Sequence, residues 1–304
     1  MAPRRLAARL LVAASLGLVL SVCRTDPPTG SPFTPSAGDD PIVVAAGDIS
    51  CPGEPCDEQR QTADLVGKID PDAVLVLGDL QYRDGLLADF ESSYEPTWGR
   101  FADRTRPVPG NHEYHVPGAR GYFDYFGASA HEEQGGWYSF DVGDWHLVAI
   151  NSGSGTISDE QLAWVEADLA ADDHLCQLAY WHHQRWSSGT VHGPDPEPAL
   201  ISLWRTLHDG GVEVVLNGHE HNYERFALLD PDGRSDPEGG IRQFVVGTGG
   251  RSSYPFGDPM PGSEQRITDV FGVLELTLGA DGYGWRFVGV PGSVLDEGSA
   301  GCHA

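Results

Sequence analysis

A layered α/β domain with a mixed sheet or sheet pair inside is predicted by three observations. Ile42-Val43-Val44-Ala45-Ala46 and Ala73-Val74-Leu75-Val76-Leu77 are continuous apolar runs, as strands buried on both faces require. Strand and helix patterns alternate early in the chain, whereas strands dominate late. No internal repeat divides the 304 residues, so once the ends are discounted one large domain is expected.

The chain opens with an export signature. Arg4, Arg5 and Arg9 make a basic start, and residues 10–22 form an apolar run too short to cross a bilayer comfortably, so residues 1–22 are expected to be a signal peptide. Leu20-Ser21-Val22-Cys23 resembles the lipobox of bacterial lipoproteins, with Val22 where a small residue is preferred. Cys23 is therefore a candidate lipid anchor, and ordinary cleavage slightly downstream would instead release a soluble protein. Residues 23–41 are rich in Pro, Gly, Ser, Thr and Asp without a hydrophobic period, which predicts an unstructured tether and leaves 42–304 as the folded domain. The expected location is outside the cell, secreted or lipid-anchored at the outer face of the membrane.

Within the domain, Asp57 is placed to cap a helix running to about Lys68. Strands are expected at residues 137–142 and 146–150, around a hairpin turn at Gly143-Asp144. Residues 158–171 read as an amphipathic helix with Leu162, Val165 and Leu169 on one face, and Ser158 with Gln161 matches a capping box. Further strands are expected at 177–181, 212–216, 241–246, 272–278 and 285–290.

Apart from Cys23, four cysteines remain, and an even number in an exported protein suggests two disulfides. Cys51 and Cys56 are close enough in sequence to close a small loop beside Asp48. Cys176 with Cys302 follows by elimination, with other pairings open. Zinc at Cys51 and Cys56 is disfavoured, because no second Cys or His pair at finger spacing accompanies them. Lys and Arg total 19 against 45 Asp and Glu, a formal net charge of −26. Such a surface repels nucleic acid and anionic membrane, leaving Cys23 as the membrane contact. It would repel an anionic substrate too, unless cations held in the site reverse the local potential.

Five fragments supply metal donors in order: Gly47-Asp48, Gly78-Asp79-Leu80-Gln81-Tyr82, Gly110-Asn111-His112-Glu113, Trp181-His182-His183 and Gly218-His219-Glu220-His221. Most join a short apolar run to a Gly-bearing turn, where a strand ends and a loop begins. Carboxylates, an amide, imidazoles and a phenol suit two adjacent metal ions of different hardness. Asp79 is the natural bridge, because a shared anion offsets the mutual repulsion of two cations. Tyr82 discriminates further: a phenol with a reference pKa of about 10 is kept ionised near neutrality by a strongly Lewis-acidic ion such as ferric iron.

Together these blocks resemble the calcineurin-like metallophosphoesterase superfamily, and Tyr82 in Gly-Asp-x-x-Tyr makes the chain similar to its purple acid phosphatase branch. The resemblance implies a four-layer α/β/β/α sandwich of two mixed sheets flanked by helices. It implies that Asp48, Asp79, Tyr82 and His221 hold ferric iron, and that Asp79, Asn111, His182 and His219 hold a divalent ion, zinc, iron or manganese. His182 is preferred to His183 by alignment with the family's His-x-Pro-x-aromatic-Ser pattern, although Gln184 stands in place of the proline and Ser50 replaces a glycine of the first block. His112 and His192, the latter in Val191-His192-Gly193-Pro194, are the implied non-ligand groups, one to act as general acid and the other to hold a phosphate oxygen, with the assignment between them open.

The implied activity is hydrolysis of small phosphate monoesters by a metal-bound hydroxide. Alternatives are a phosphodiesterase of the same superfamily, or an exported metal- or phosphate-binding protein without activity. His115, His131, His146, His174, His183, His208 and His303 are read as ordinary core or surface residues, Arg185 and Arg251 as solvated, and Gly247-Thr248-Gly249-Gly250 as a tight turn closing the site.

Overall fold

The computed structural model describes residues 40–303. The signal peptide, Cys23 and all but the end of the tether lie outside the described residues. Pro41 already belongs to the fold, since its carbonyl accepts from the Leu278 N–H at 2.9 Å. Among the described residues no helix is long and apolar enough to cross a membrane.

Two mixed sheets face each other. The first has six strands in the order β13-β12-β11-β1-β2-β3. These are β1 (Ile42–Ala46), β2 (Ala73–Leu77), β3 (Thr105–Val108), β11 (Gly272–Gly279), β12 (Gly282–Gly289) and β13 (Ser293–Gly301). The second has seven, in the order β10-β8-β9-β7-β6-β5-β4. Its members are β4 (Tyr138–Val142), β5 (Trp145–Ala149), β6 (Cys176–Tyr180), β7 (Val214–Asn217), β8 (Tyr223–Leu229), β9 (Ile241–Val246) and β10 (Ser263–Ile267). β1, β2 and β3 run parallel, as do β5, β6, β7 and β9.

Alternation along each strand builds the layers. Leu147, Leu178 and Val214 enter the core shared with the first sheet, whereas Val148, Ala179 and Val215 face the opposite way. The second face is covered by α4 (Asp159–Ala171) through Val165 and Leu169, and by α5 (Pro198–Asp209) through Leu203, Trp204 and Leu207. Against the first sheet lies α1 (Asp57–Ile69), which buries Ala63, Leu65 and Val66. Two shorter helices, α2 (Leu87–Asp89) and α3 (Arg120–Phe126), belong to the connection around β3. The Trp145 Nε1–H donates to the Gly279 carbonyl at 2.8 Å and ties the sheets together. This is the expected four-layer sandwich.

Several expectations need correction. Asp57 is the first helical residue, and Cys56 holds the N-cap position without a side-chain cap. Its sulfur is committed to Cys51, so Asp57 and Glu58 instead place negative charge in the first turn, where the helix dipole favours it. Only half the capping box forms. Ser158 Oγ accepts from the Gln161 N–H, but the Gln161 side chain turns away to pair with both backbone groups of Asn151. The sequence reading passed over β3, β8, β10, β13, α3 and α5. Pro107 lies within β3, which is at the sheet edge, where a missing N–H is tolerated. β13 lacks apolar alternation because it is an exposed edge held by pairing with β12.

Both disulfides form as expected, Cys51–Cys56 and Cys176–Cys302. Among the histidines read as ordinary, His146 is an ionic hub: Nδ1 is 2.8 Å from Asp141 and Nε2 2.9 Å from Asp168, while Asp172 lies 3.8 Å away and itself pairs with His174. The hydrogen bond to Asp168, joined by that to Asp141 against the cost of burial, raises this imidazole to about 9. Because the folded value lies above the unfolded value of about 6.5, its stabilisation is complete below about pH 6.5 and is lost as pH rises through about 9. Melting curves of wild type and His146→Gln should therefore differ most in the acid range and converge at alkaline pH; a pH-independent difference would contradict an ionised hub.

Candidate metal centre

All five donor fragments sit just beyond the carboxyl ends of parallel strands, three in one sheet and two in the other. Asp48 follows β1, Asp79 follows β2, Asn111 follows β3, His182 follows β6 and His219 follows β7. Ligands collect at this edge of an α/β sheet because the loops there diverge and leave a crevice. Asp48, Asp79 and His219 have left-handed backbones, with φ of 58°, 51° and 70°. Non-glycine residues rarely adopt that conformation, and each such turn costs of order 1–3 kcal/mol, a cost typical of functional loops.

The donor atoms form two groups that share one oxygen. In the first, the Tyr82 hydroxyl is 2.8 Å from Asp48 Oδ1, 3.0 Å from Asp79 Oδ2 and 3.0 Å from His221 Nε2, and His221 Nε2 is 3.1 Å from Asp48 Oδ1. In the second, His182 Nε2 is 3.3 Å from Asp79 Oδ2, 3.2 Å from Asn111 Oδ1 and 3.1 Å from His219 Nδ1. Asp79 Oδ2 is common to both. The ligand atoms of Asp79, His182 and His219 all lie within 4.8 Å of one another.

His182, His221, Asp48 and Asp79 each have their remaining polar atom held by a fixed partner, which aims the free atom inward. His182 Nδ1 is 2.8 Å from the Leu77 carbonyl and therefore carries the proton, leaving Nε2 as the lone-pair donor. His221 Nδ1 is 2.6 Å from Ser252 Oγ. Asp48 Oδ2 accepts from the His219 N–H and Asp79 Oδ1 from the His112 N–H, both at 2.8 Å.

This donor set fits cations. Asp48, Asp79 and Tyr82 are buried and bring three acidic oxygens together. Burial, then the Asp48 and Asp79 carboxylates, push the Tyr82 phenol well above its ordinary value, so bound positive charge is needed for all three to be anionic. His183 is outside both groups. It is buried with Nδ1 2.9 Å from Ser152 Oγ, and burial, then neighbouring His182, holds it down to about 3.

His112 and His192 flank the donor groups on different sides. The His112 ring lies 4.2 Å from that of Tyr82, with Nδ1 2.6 Å from the Arg83 carbonyl and Nε2 3.8 Å from Asp79 Oδ2. His192 is stacked on His219 with centroids 3.8 Å apart and planes at 28°. Arg251 and Arg185, both half-buried, lie over the rings of Tyr82 and Trp186, at 5.1 and 3.9 Å. The Gly247–Gly250 turn does close against the site. A Cβ at Gly249 would fall 2.5 Å from the Gly47 carbonyl, so glycine lets the two backbones meet.

Two functional carboxylates were missed. Glu113 is fully buried and accepts the backbone N–H groups of Asp79, Leu80, Gln81 and Gly110, joining the second and third donor loops. Burial, then Asp79, raises it to about 7, against the pull of the Gly110 and Gln81 N–H groups. Glu220, between His219 and His221, directs its carboxylate instead to the backbone of residues 191–193. The available signal was their place inside the donor fragments, each a carboxylate that the ligand sets leave unused.

A two-sheet sandwich with these donors at its rim defines a metallophosphoesterase scaffold. Residues 42–223 match the calcineurin-like phosphoesterase family, and the chain belongs to it. Within that family it is similar to purple acid phosphatase 15 of Arabidopsis thaliana, 30% identical over 59% of this chain and 40% of that protein. It is also similar to purple acid phosphatase 18 of the same plant, 27% identical over 73% of this chain and 53% of that protein. The chain thus spans about half the length of these relatives. The structure of a purple acid phosphatase from yellow lupin (Lupinus luteus) seeds has the same fold, with a TM-score of 0.72 at 20% identity, covering 90% of this chain and 55% of that one.

Proposed function

We propose that the chain is an exported dinuclear-metal phosphatase that hydrolyses phosphate monoesters. The observation that carries this reading is the single oxygen, Asp79 Oδ2, shared by two donor groups. Asp48, Asp79, Tyr82 and His221 would hold ferric iron; Asp79, Asn111, His182 and His219 would hold a divalent zinc, iron or manganese ion. Bound there, the pair would acidify a water molecule, screen the ester from the acidic protein and clamp its phosphoryl oxygens.

The chain's own groups supply orientation and the proton. His192 makes no side-chain hydrogen bond among the described residues, so its ring is available to protonate the leaving oxygen. His112, anchored by Nδ1–H to the Arg83 carbonyl, presents Nε2 toward a phosphoryl oxygen beside Asp79. Two disulfides support an oxidising, exported setting.

The test is a metal-reconstituted sample assayed for metal content, visible absorption and turnover of matched phosphate mono- and diesters. Two metals per chain, a phenolate-to-iron band that Tyr82→Phe abolishes, and faster monoester cleavage are expected. Faster diester cleavage would establish the phosphodiesterase alternative, and two metals without turnover a binding protein. A colourless, iron-loaded wild type would refute the Tyr82 assignment.

A further inference from the structure

Glu220 belongs to the segment that carries His219 and His221 but serves a different loop. In the turn between β7 and β8 its carboxylate is directed at residues 191–193 rather than at the donor groups, and the residue is 0% exposed. Its carboxylate receives three consecutive backbone N–H groups, from Val191 at 3.2 Å, His192 at 2.7 Å and Gly193 at 3.1 Å. Glycines shape the space it fills. A Cβ at Gly189 would lie 2.2 Å from the Glu220 carboxyl carbon, and one at Gly247 would lie 2.2 Å from the Glu220 carbonyl oxygen.

We infer that Glu220 is a positioning residue for His192, a deepening that rests on the proposed role of His192 as proton donor. Three backbone N–H groups from successive residues converging on one carboxyl group fix a loop's path. The loop needs such a clamp, since Val191 is 50% exposed, His192 is exposed, and Gly193 has a left-handed φ of 65°. Besides Glu220, it is held by the Gln184 amide, which donates to the Gly193 carbonyl at 2.6 Å. The ring of the clamped residue then lies on His219, so one tripeptide sets His192 through its backbone and through its face. Metal-donor placement and proton-donor placement are thereby built from the same short segment.

The experiment compares wild type, Glu220→Ala and Glu220→Gln in the full, metal-reconstituted chain. Amide hydrogen exchange at 191–193 should accelerate at least about tenfold in Glu220→Ala, with metal content and visible band unchanged. Its kcat/KM should fall about 10- to 100-fold more for an alkyl phosphate, which needs protonation, than for a dinitrophenyl phosphate, which does not. Glu220→Gln, which keeps an oxygen acceptor, should recover part of both effects. Unchanged exchange at 191–193, or equal losses on both esters accompanied by loss of metal, would overturn the assignment. If the alanine variant does not fold, the glutamine variant decides, and wild-type exchange rates in it would be a refutation. A wild type that cleaves no ester would sink the phosphatase reading while leaving the exchange result to judge the clamp.

Discussion

Asp79→Asn is expected to reduce bound metal from two ions per chain to one or none and to lower kcat/KM by about a thousandfold or more. Its Oδ2 is the point where the two donor groups meet, so the substitution removes a charge from both at once. Each bound cation is worth several kcal/mol to a phosphoryl-transfer transition state, and each 1.36 kcal/mol is tenfold in rate. Asn111→Ala supplies the contrast, since its amide belongs to one group only and should weaken a single ion. Elemental analysis with turnover on a monoester checks both. An Asp79→Asn protein retaining two metals and full activity would remove the shared-bridge assignment.

The second large effect is on stability. Replacing Cys176 and Cys302 by alanine should cost about 2–5 kcal/mol, which for a domain of this size is a drop in melting temperature of roughly 5–15 °C. The bond spans 126 residues, and in the chain-entropy view such a loop restricts the unfolded state by about 5 kcal/mol, against about 2 kcal/mol for the five-residue separation of Cys51 and Cys56. It also joins the start of buried β6 to the residue after β13. The neighbouring His303 pairs with Glu213 at 3.1 Å, so the tail's end is held at two points. Calorimetry of the double variant tests this, and an unchanged melting temperature would show that edge-strand pairing alone secures the tail. The Cys51–Cys56 double variant should melt closer to wild type.

Much of this was legible locally. A strand buried on both faces leaves an uninterrupted apolar run, which is why β1 and β2 coincide with their expected spans. Polar edge strands such as β13 leave no such trace, because neighbours rather than composition hold them. α5 is not among the expected elements, although its signals are local: Pro198 sits at its first turn and Leu200, Leu203, Trp204 and Leu207 form its buried stripe. His146 looked like any lone histidine because its partners Asp141 and Asp168 come from a neighbouring strand and a helix.

The order and chemical kind of the donors, their placement at strand ends and the resemblance to a phosphoesterase family were determined by the sequence alone, because a donor and the turn presenting it are neighbours in the chain. Which nitrogen of each imidazole faces inward, that one Asp79 oxygen serves two groups, and that Glu113 and Glu220 bind loops rather than metals were decided by tertiary structure. Those facts depend on contacts between residues some 30 to 170 positions apart, as between Tyr82 and His221 or His219 and Asp48, and the register of two facing sheets brings them together.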